Sequence, residues 1–178
     1  MKYNMASNAS CVIKKRVQQE LNDSAYLISI NDCVAKYKST FLALIYNKIC
    51  DNICIDIDKA VKIKALNSFG YHNFHNNTFT QVCDILELME RKKLLIEIKN
   101  ATINALNSLP YHRKQLLSYR QENMSIKDIC NKIGLERTAC YRLIYDSIEN
   151  LTQELNRIGY KQSLIYEYHN FIIGCDKD

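Results

Sequence analysis

The chain has 178 residues, 47% of them apolar, with four glycines, one proline and a formal net charge of +5. That apolar share supports a packed core and excludes a compositionally disordered chain, and so few turn formers exclude a protein of many short strands. The mild basicity, with a pI near 8.7, permits a nucleic-acid partner without demanding one.

An all-α protein is therefore expected. No apolar run reaches the roughly 18 residues of a membrane span, so no membrane partner is expected. The opening MKYNMASNASCVIKKR lacks an apolar secretory core, which points to a cytoplasmic location. In a reducing compartment the eight cysteines act mainly as small hydrophobes. No C-x-x-C occurs, and the closest pair is Cys50 and Cys54.

Along the chain, Ile13, Val17 and Leu21 recur every fourth residue, a short amphipathic helix over 11–21. A longer helix is predicted from about Ser24 to Ile49. There Leu27, Ile30, Val34, Tyr37, Phe41 and Leu44 follow heptad spacing, widened by Cys33, Ile45 and Ile49. So wide a stripe favours an ordinary core face over a dimer seam, with a homodimer as the competing reading. Residues 50–56 read as a break, after which Asp56 or Asp58 caps a helix running to Asn67. SFGYHNFHNNT (68–78) reads as a linker. From Thr80 to Leu106 a helical pattern returns, with a phase slip near Arg91–Lys93 that allows one bent helix or two. ALNSFGYHN (65–73) and ALNSLPYHR (105–113) share six of nine residues. The similarity does not continue, so a repeat architecture is not supported.

The stretch from Ser108 carries the functional signal. Pro110 suits a first helical turn, and Leu116 and Leu117 give that helix a core face. The helix closes at Asn123–Met124. Ser125 then opens a short second helix with Asp128 three residues on, a capping-box variant. Ile126, Ile129, Cys130 and Ile133 face inward, and Gly134 supplies a tight turn. A third helix over 136–150 buries Cys140, Leu143, Ile144 and Ile148. It turns Arg137, Thr138, Tyr141, Arg142 and Tyr145 outward. A small residue at 130, glycine at 134 and an apolar residue at 140 follow the spacing of helix-turn-helix units. On that reading the two cysteines are packing residues. A metal site needs about four ligands, and no histidine lies between Arg113 and Glu154.

LNSLPYHRKQLLSYRQENMSIKDICNKIGLERTACYRLIYDSIENLTQEL resembles region 4 of the sigma-70 family. That family includes the ArpU-type and other sigma-like regulators of phages and mobile elements of low-GC Gram-positive bacteria. The match covers about 45 to 50 residues, with a pattern moderately specific for the fold. The resemblance implies a sequence-specific DNA-binding regulator of transcription whose third helix enters the major groove of double-stranded DNA. It places Arg137, Thr138, Tyr141 and Arg142 at the bases. Cys130 and Cys140 replace the usual alanine and valine, and Glu136 sits where a serine or threonine often caps. A carboxylate there repels phosphate unless it reads a cytosine amino group.

Residues 108–161 hold nine Lys or Arg against six Asp or Glu, a local net of +3. Arg113, Lys114, Arg120, Lys127 and Lys132 are the candidate phosphate contacts, which would position the protein without reading sequence. The tail KQSLIYEYHNFII repeats Leu164, Ile165, Tyr168 and Ile172 at helical spacing, a last packing helix.

Other signals are weak. His72 and His75 lack further ligands nearby, and the stretch from Cys54 to Asp58 lacks the glycine and terminal glutamate of a calcium loop. No P-loop, GxGxxG or GxSxG occurs, so neither catalysis nor a cofactor or metal is expected. The expected organisation is an N-terminal helical domain (1–78) for dimerisation or partner binding, a connecting long helix (79–107), and a helix-turn-helix domain with its last helix (108–178). The expected location is cytoplasmic, at the nucleoid. Two alternatives remain beside the DNA reader: a module binding RNA polymerase or another regulator, and a divergent full sigma factor.

Overall fold

The computed structural model describes residues 5–23, 33–68 and 77–174, and among them every regular element is an α-helix, as expected. In chain order these are α1 (Met5–Asp23), α2 (Cys33–Ser68), α3 (Asn77–Asn107), α4 (Tyr111–Gln121), α5 (Ile126–Ile133), α6 (Arg137–Arg157) and α7 (Gln162–Ile173).

The break expected at 50–56 is absent: α2 runs through it to Ser68. No glycine or proline interrupts this span, and Ile49, Cys50, Ile53 and Ile57 carry the buried stripe onward. The aspartates read as break and cap signals instead meet cations on neighbouring helices. Asp51 lies 2.6 Å from Lys99, Asp58 2.6 Å from Lys92, and Asp56 2.8 Å from Arg16. One departure from helical geometry falls at Tyr37 (φ −116°, ψ 16°).

Helices α2 and α3 form an antiparallel hairpin, since the pairs Lys99–Asp51, Lys92–Asp58 and Lys64–Asp84 run in opposite numerical order along the two. Such partly exposed pairs contribute ~1 kcal/mol or less each. The larger stabilisation comes from the seam of Ile53, Ile57, Leu95, Ile98 and Ala105, where each large aliphatic contributes roughly 1.5–3 kcal/mol.

The phase slip in α3 has a specific origin. The helix is one piece with two apolar stripes. Leu88, Leu95, Ile98 and Ala105 face the core, whereas Phe79, Val82, Leu86, Met89 and Ile96 face outward.

A single apolar core extends from Ile13 and Val17 of α1 to Ile165 and Ile172 of α7. Of the expected heptad seam, Tyr37, Phe41 and Leu44 are buried in this core, whereas Leu27 and Ile30 lie outside the described residues. Polar side chains also join the two halves. Thr40 Oγ1 lies 2.7 Å from Thr152 Oγ1, Gln121 Nε2 donates to the Leu44 carbonyl at 3.2 Å, and the Tyr46 hydroxyl lies 2.7 Å from His169 Nδ1. No described helix is long and apolar enough to cross a membrane.

Candidate nucleic-acid interface

The site is built on α4, α5 and α6. Pro110 immediately precedes α4 (φ −55°), a conformation its ring favours. The helix ends at Gln121, slightly before the expected stop. Asn123 there adopts a left-handed conformation (φ 58°), with Asn123 N–H donating to Arg120 O and Met124 N–H to Tyr119 O. This is the paired hydrogen-bond closure in which asparagine substitutes for glycine.

Ser125 caps α5: its Oγ accepts from Asp128 N–H at 3.2 Å and donates to Asp128 Oδ2 at 2.5 Å. Gly134 closes the helix with φ 69°, ψ 32°, and the Cys130 carbonyl accepts from both Gly134 and Leu135 N–H. The positive φ is what turns the chain sharply into α6.

Glu136 is the N-cap of α6 and makes no side-chain cap hydrogen bond. Residues 136–139 are exposed, so the first turn of α6 presents its backbone N–H groups outward. Beneath it Cys140, Ile144 and Ile148 are buried, as the spacing predicted. Helix α6 continues past the expected Asn150 to Arg157, because Leu151, Thr152 and Leu155 keep its inner face in the core. Gly159 (φ 96°) then stops it, with Tyr160 N–H on Leu155 O.

Of the expected base-reading residues, Arg137, Thr138 and Arg142 are exposed and Tyr141 is half-buried. They share one face, and the Arg137 guanidinium lies 5.8 Å from the Tyr141 ring centre. Cys130 is half-buried and Cys140 wholly buried. Desolvation first, then the contact with Cys130, push the Cys140 thiol up to about 11, so it stays a neutral packing group.

The expected phosphate contacts separate. Lys127 and Lys132 stand exposed on α5, with Lys132 Nζ 4.8 Å above the Tyr119 ring. Lys114 is half-buried and donates to Asn107 Oδ1 at 2.6 Å, and Arg113 is half-buried with its Nε inside. Arg120 departs from expectation. It follows Leu116 and Leu117 onto the inner face of α4, is only 4% exposed, and donates Nη1 to the Met124 carbonyl at 3.1 Å. It ties down the α4–α5 turn and is not placed to meet a phosphate.

The structure adds Asn131, exposed one turn beyond Lys127, and the uncapped first turn of α6. The i, i+4 spacing from Lys127 was the available signal for Asn131. Among the described residues no group of three or more His, Cys, Asp or Glu side chains is placed to hold a metal; His72 and His75 lie outside them. In comparisons with known proteins, no family model, no curated protein and no solved structure matches this chain.

Proposed function

We propose that this protein is a sequence-specific DNA-binding regulator of transcription, sigma-like in its carboxy-terminal helices, with α6 entering the major groove. The observation that carries the reading is the α5–Gly134–α6 unit. Its second helix is anchored by a buried inner face, including Cys140, while Arg137, Thr138 and Arg142 stand exposed on its outer face.

In this reading Arg137 and Arg142 donate to guanine O6 and N7, the contact for which a planar guanidinium is best shaped. Thr138 and Tyr141 support neighbouring bases. Lys127, Lys132 and the open N–H groups of the α6 first turn hold phosphates. Glu136 accepts from a cytosine amino group, since a carboxylate among phosphates is otherwise repelled. The resemblance to sigma region 4 supports the same assignment and adds RNA polymerase as a partner.

Selection from a random duplex library at several salt concentrations tests the reading, with Arg137→Ala and Arg142→Ala alongside. Each variant is expected to lose ~1–3 kcal/mol at its own base position. Lys127→Ala is expected to weaken all sequences evenly and lower the salt slope by about one. If no sequence is enriched, or both arginine variants bind as the parent does, the DNA-reading assignment is wrong and a protein-binding role for the same helices takes its place.

A further inference from the structure

The outward stripe of α3 has no partner within the described residues. Phe79 is 80% exposed, Leu86 59% and Met89 55%; Val82 fills the row between Phe79 and Leu86, and Ile96 extends it beyond Met89. Together they span about 25 Å of helix. These positions, with Lys93 among them, are spaced 3-4-3-4-3, the spacing of a two-helix seam. Helices exposed to water rarely carry two apolar stripes on nearly opposite faces unless the second is covered.

We infer that this stripe is a homodimer interface, packing against the same stripe of a second copy in antiparallel orientation. The spacing reads identically in both directions about the point between Glu87 and Leu88. An antiparallel copy therefore sets Leu86 against the partner's Met89, Phe79 against the partner's Ile96 and Val82 against the partner's Lys93. Orientation is decided by charge. A parallel pair stacks Lys93 on Lys93 in the seam, a like-charge contact, whereas the antiparallel pair separates the two lysines to opposite ends and lays each stem over a valine. The area is sufficient. Scaling apolar side chains of roughly 150–200 Å² by their exposures gives roughly 500 Å² per copy, so a pair removes about 1,000 Å² from water, the lower bound for a specific interface. The dimer does not depend on the DNA-reading assignment.

Sedimentation equilibrium of the full chain without DNA tests it. The parent chain is expected to self-associate in the micromolar range, and Leu86→Glu to remain monomeric at about 200 µM with an unchanged helical spectrum. Lys93→Leu, which puts an apolar side chain into the seam, is expected to lower the dissociation constant at least about ten-fold. A fit to a single monomer–dimer equilibrium with an unchanged helical spectrum separates that gain from non-specific association. A parent chain monomeric at about 200 µM, or a Lys93→Leu variant that associates no better than the parent, overturns the interface.

Discussion

The buried pair between α2 and α7 sets a pH dependence that one atom should alter. Tyr46 is fully buried and its hydroxyl sits 2.7 Å from His169 Nδ1. Burial pushes the Tyr46 pKa up, so the phenol keeps its proton and can donate it to a neutral imidazole at Nδ1. Burial first, and the Lys38 charge second, lower the His169 pKa below its usual 6.5. The folded state thus binds fewer protons than the unfolded chain between the lowered pKa and 6.5. Stability is fully present above 6.5 and declines as pH falls through that window. Tyr46→Phe keeps the ring and deletes the donor. The loss is one hydrogen bond of ~1 kcal/mol, plus part of the cost of leaving Nδ1 unpaired, together about 1.5 kcal/mol at neutral pH. For a chain of this length that is a fall in Tm of about 4 °C. Because the deleted bond favoured neutral His169, the stability difference between about pH 7.5 and pH 5 should also shrink, and His169→Leu should shrink it further. Urea denaturation followed by circular dichroism measures both effects. A Tyr46→Phe variant as stable as the parent, with the same difference between the two pH values, would refute the assigned donor and acceptor.

Four further outcomes follow from the same structure. Arg120→Leu should lower stability by about 2 kcal/mol by unpairing the Met124 carbonyl, where Lys127→Ala leaves it unchanged; thermal melts separate the two. Gly134→Ala should cost about 1 kcal/mol from its left-handed conformation alone, because nothing lies within 4 Å of the added Cβ, and Gly134→Asn should cost less in the same denaturation assay. Ser125→Ala removes the α5 cap and should cost ~1 kcal/mol. In native thiol labelling near pH 8, exposed Cys11 and Cys83 should react well before buried Cys50, whose pKa burial chiefly raises to about 12, and Cys140.

The carboxy-terminal helices were legible because their signals are local. Ser125 with Asp128, Gly134 and the small-then-apolar placement of Cys130 and Cys140 each act within one or two turns, and each sits where the spacing placed it. The long helices were less legible, since what decides them lies far away in sequence. CDNICIDID looks like a break because its aspartates are good capping residues. The cations that receive them, Arg16, Lys92 and Lys99, lie on other helices. Arg120 reads as a surface cation from its residue type alone, but its position on the inner face of α4 outweighs that type. The phase slip of α3 has a physical cause: two apolar faces superposed on one helix blur a single period without bending the helix.

What distinguishes α6 from an ordinary packed helix is the division of labour along its length. From Cys140 to Leu155 its inner face is held by the core, and Thr152 is tied to Thr40 of α2. Only the first turn and the outward face remain open. On the proposed DNA-reading role, a surface mounted this way is ordered beforehand, so binding would fix only the arginine side chains, at roughly 0.5–1.5 kcal/mol each, and no backbone. The N-terminal helices contribute to this directly, because Thr40, Leu44 and Tyr46 of α2 all make polar links to the carboxy-terminal helices. If α6 reads DNA as proposed, loosening those links should therefore weaken binding from a distance, in proportion to the order lost at the α6 first turn and without touching any base contact.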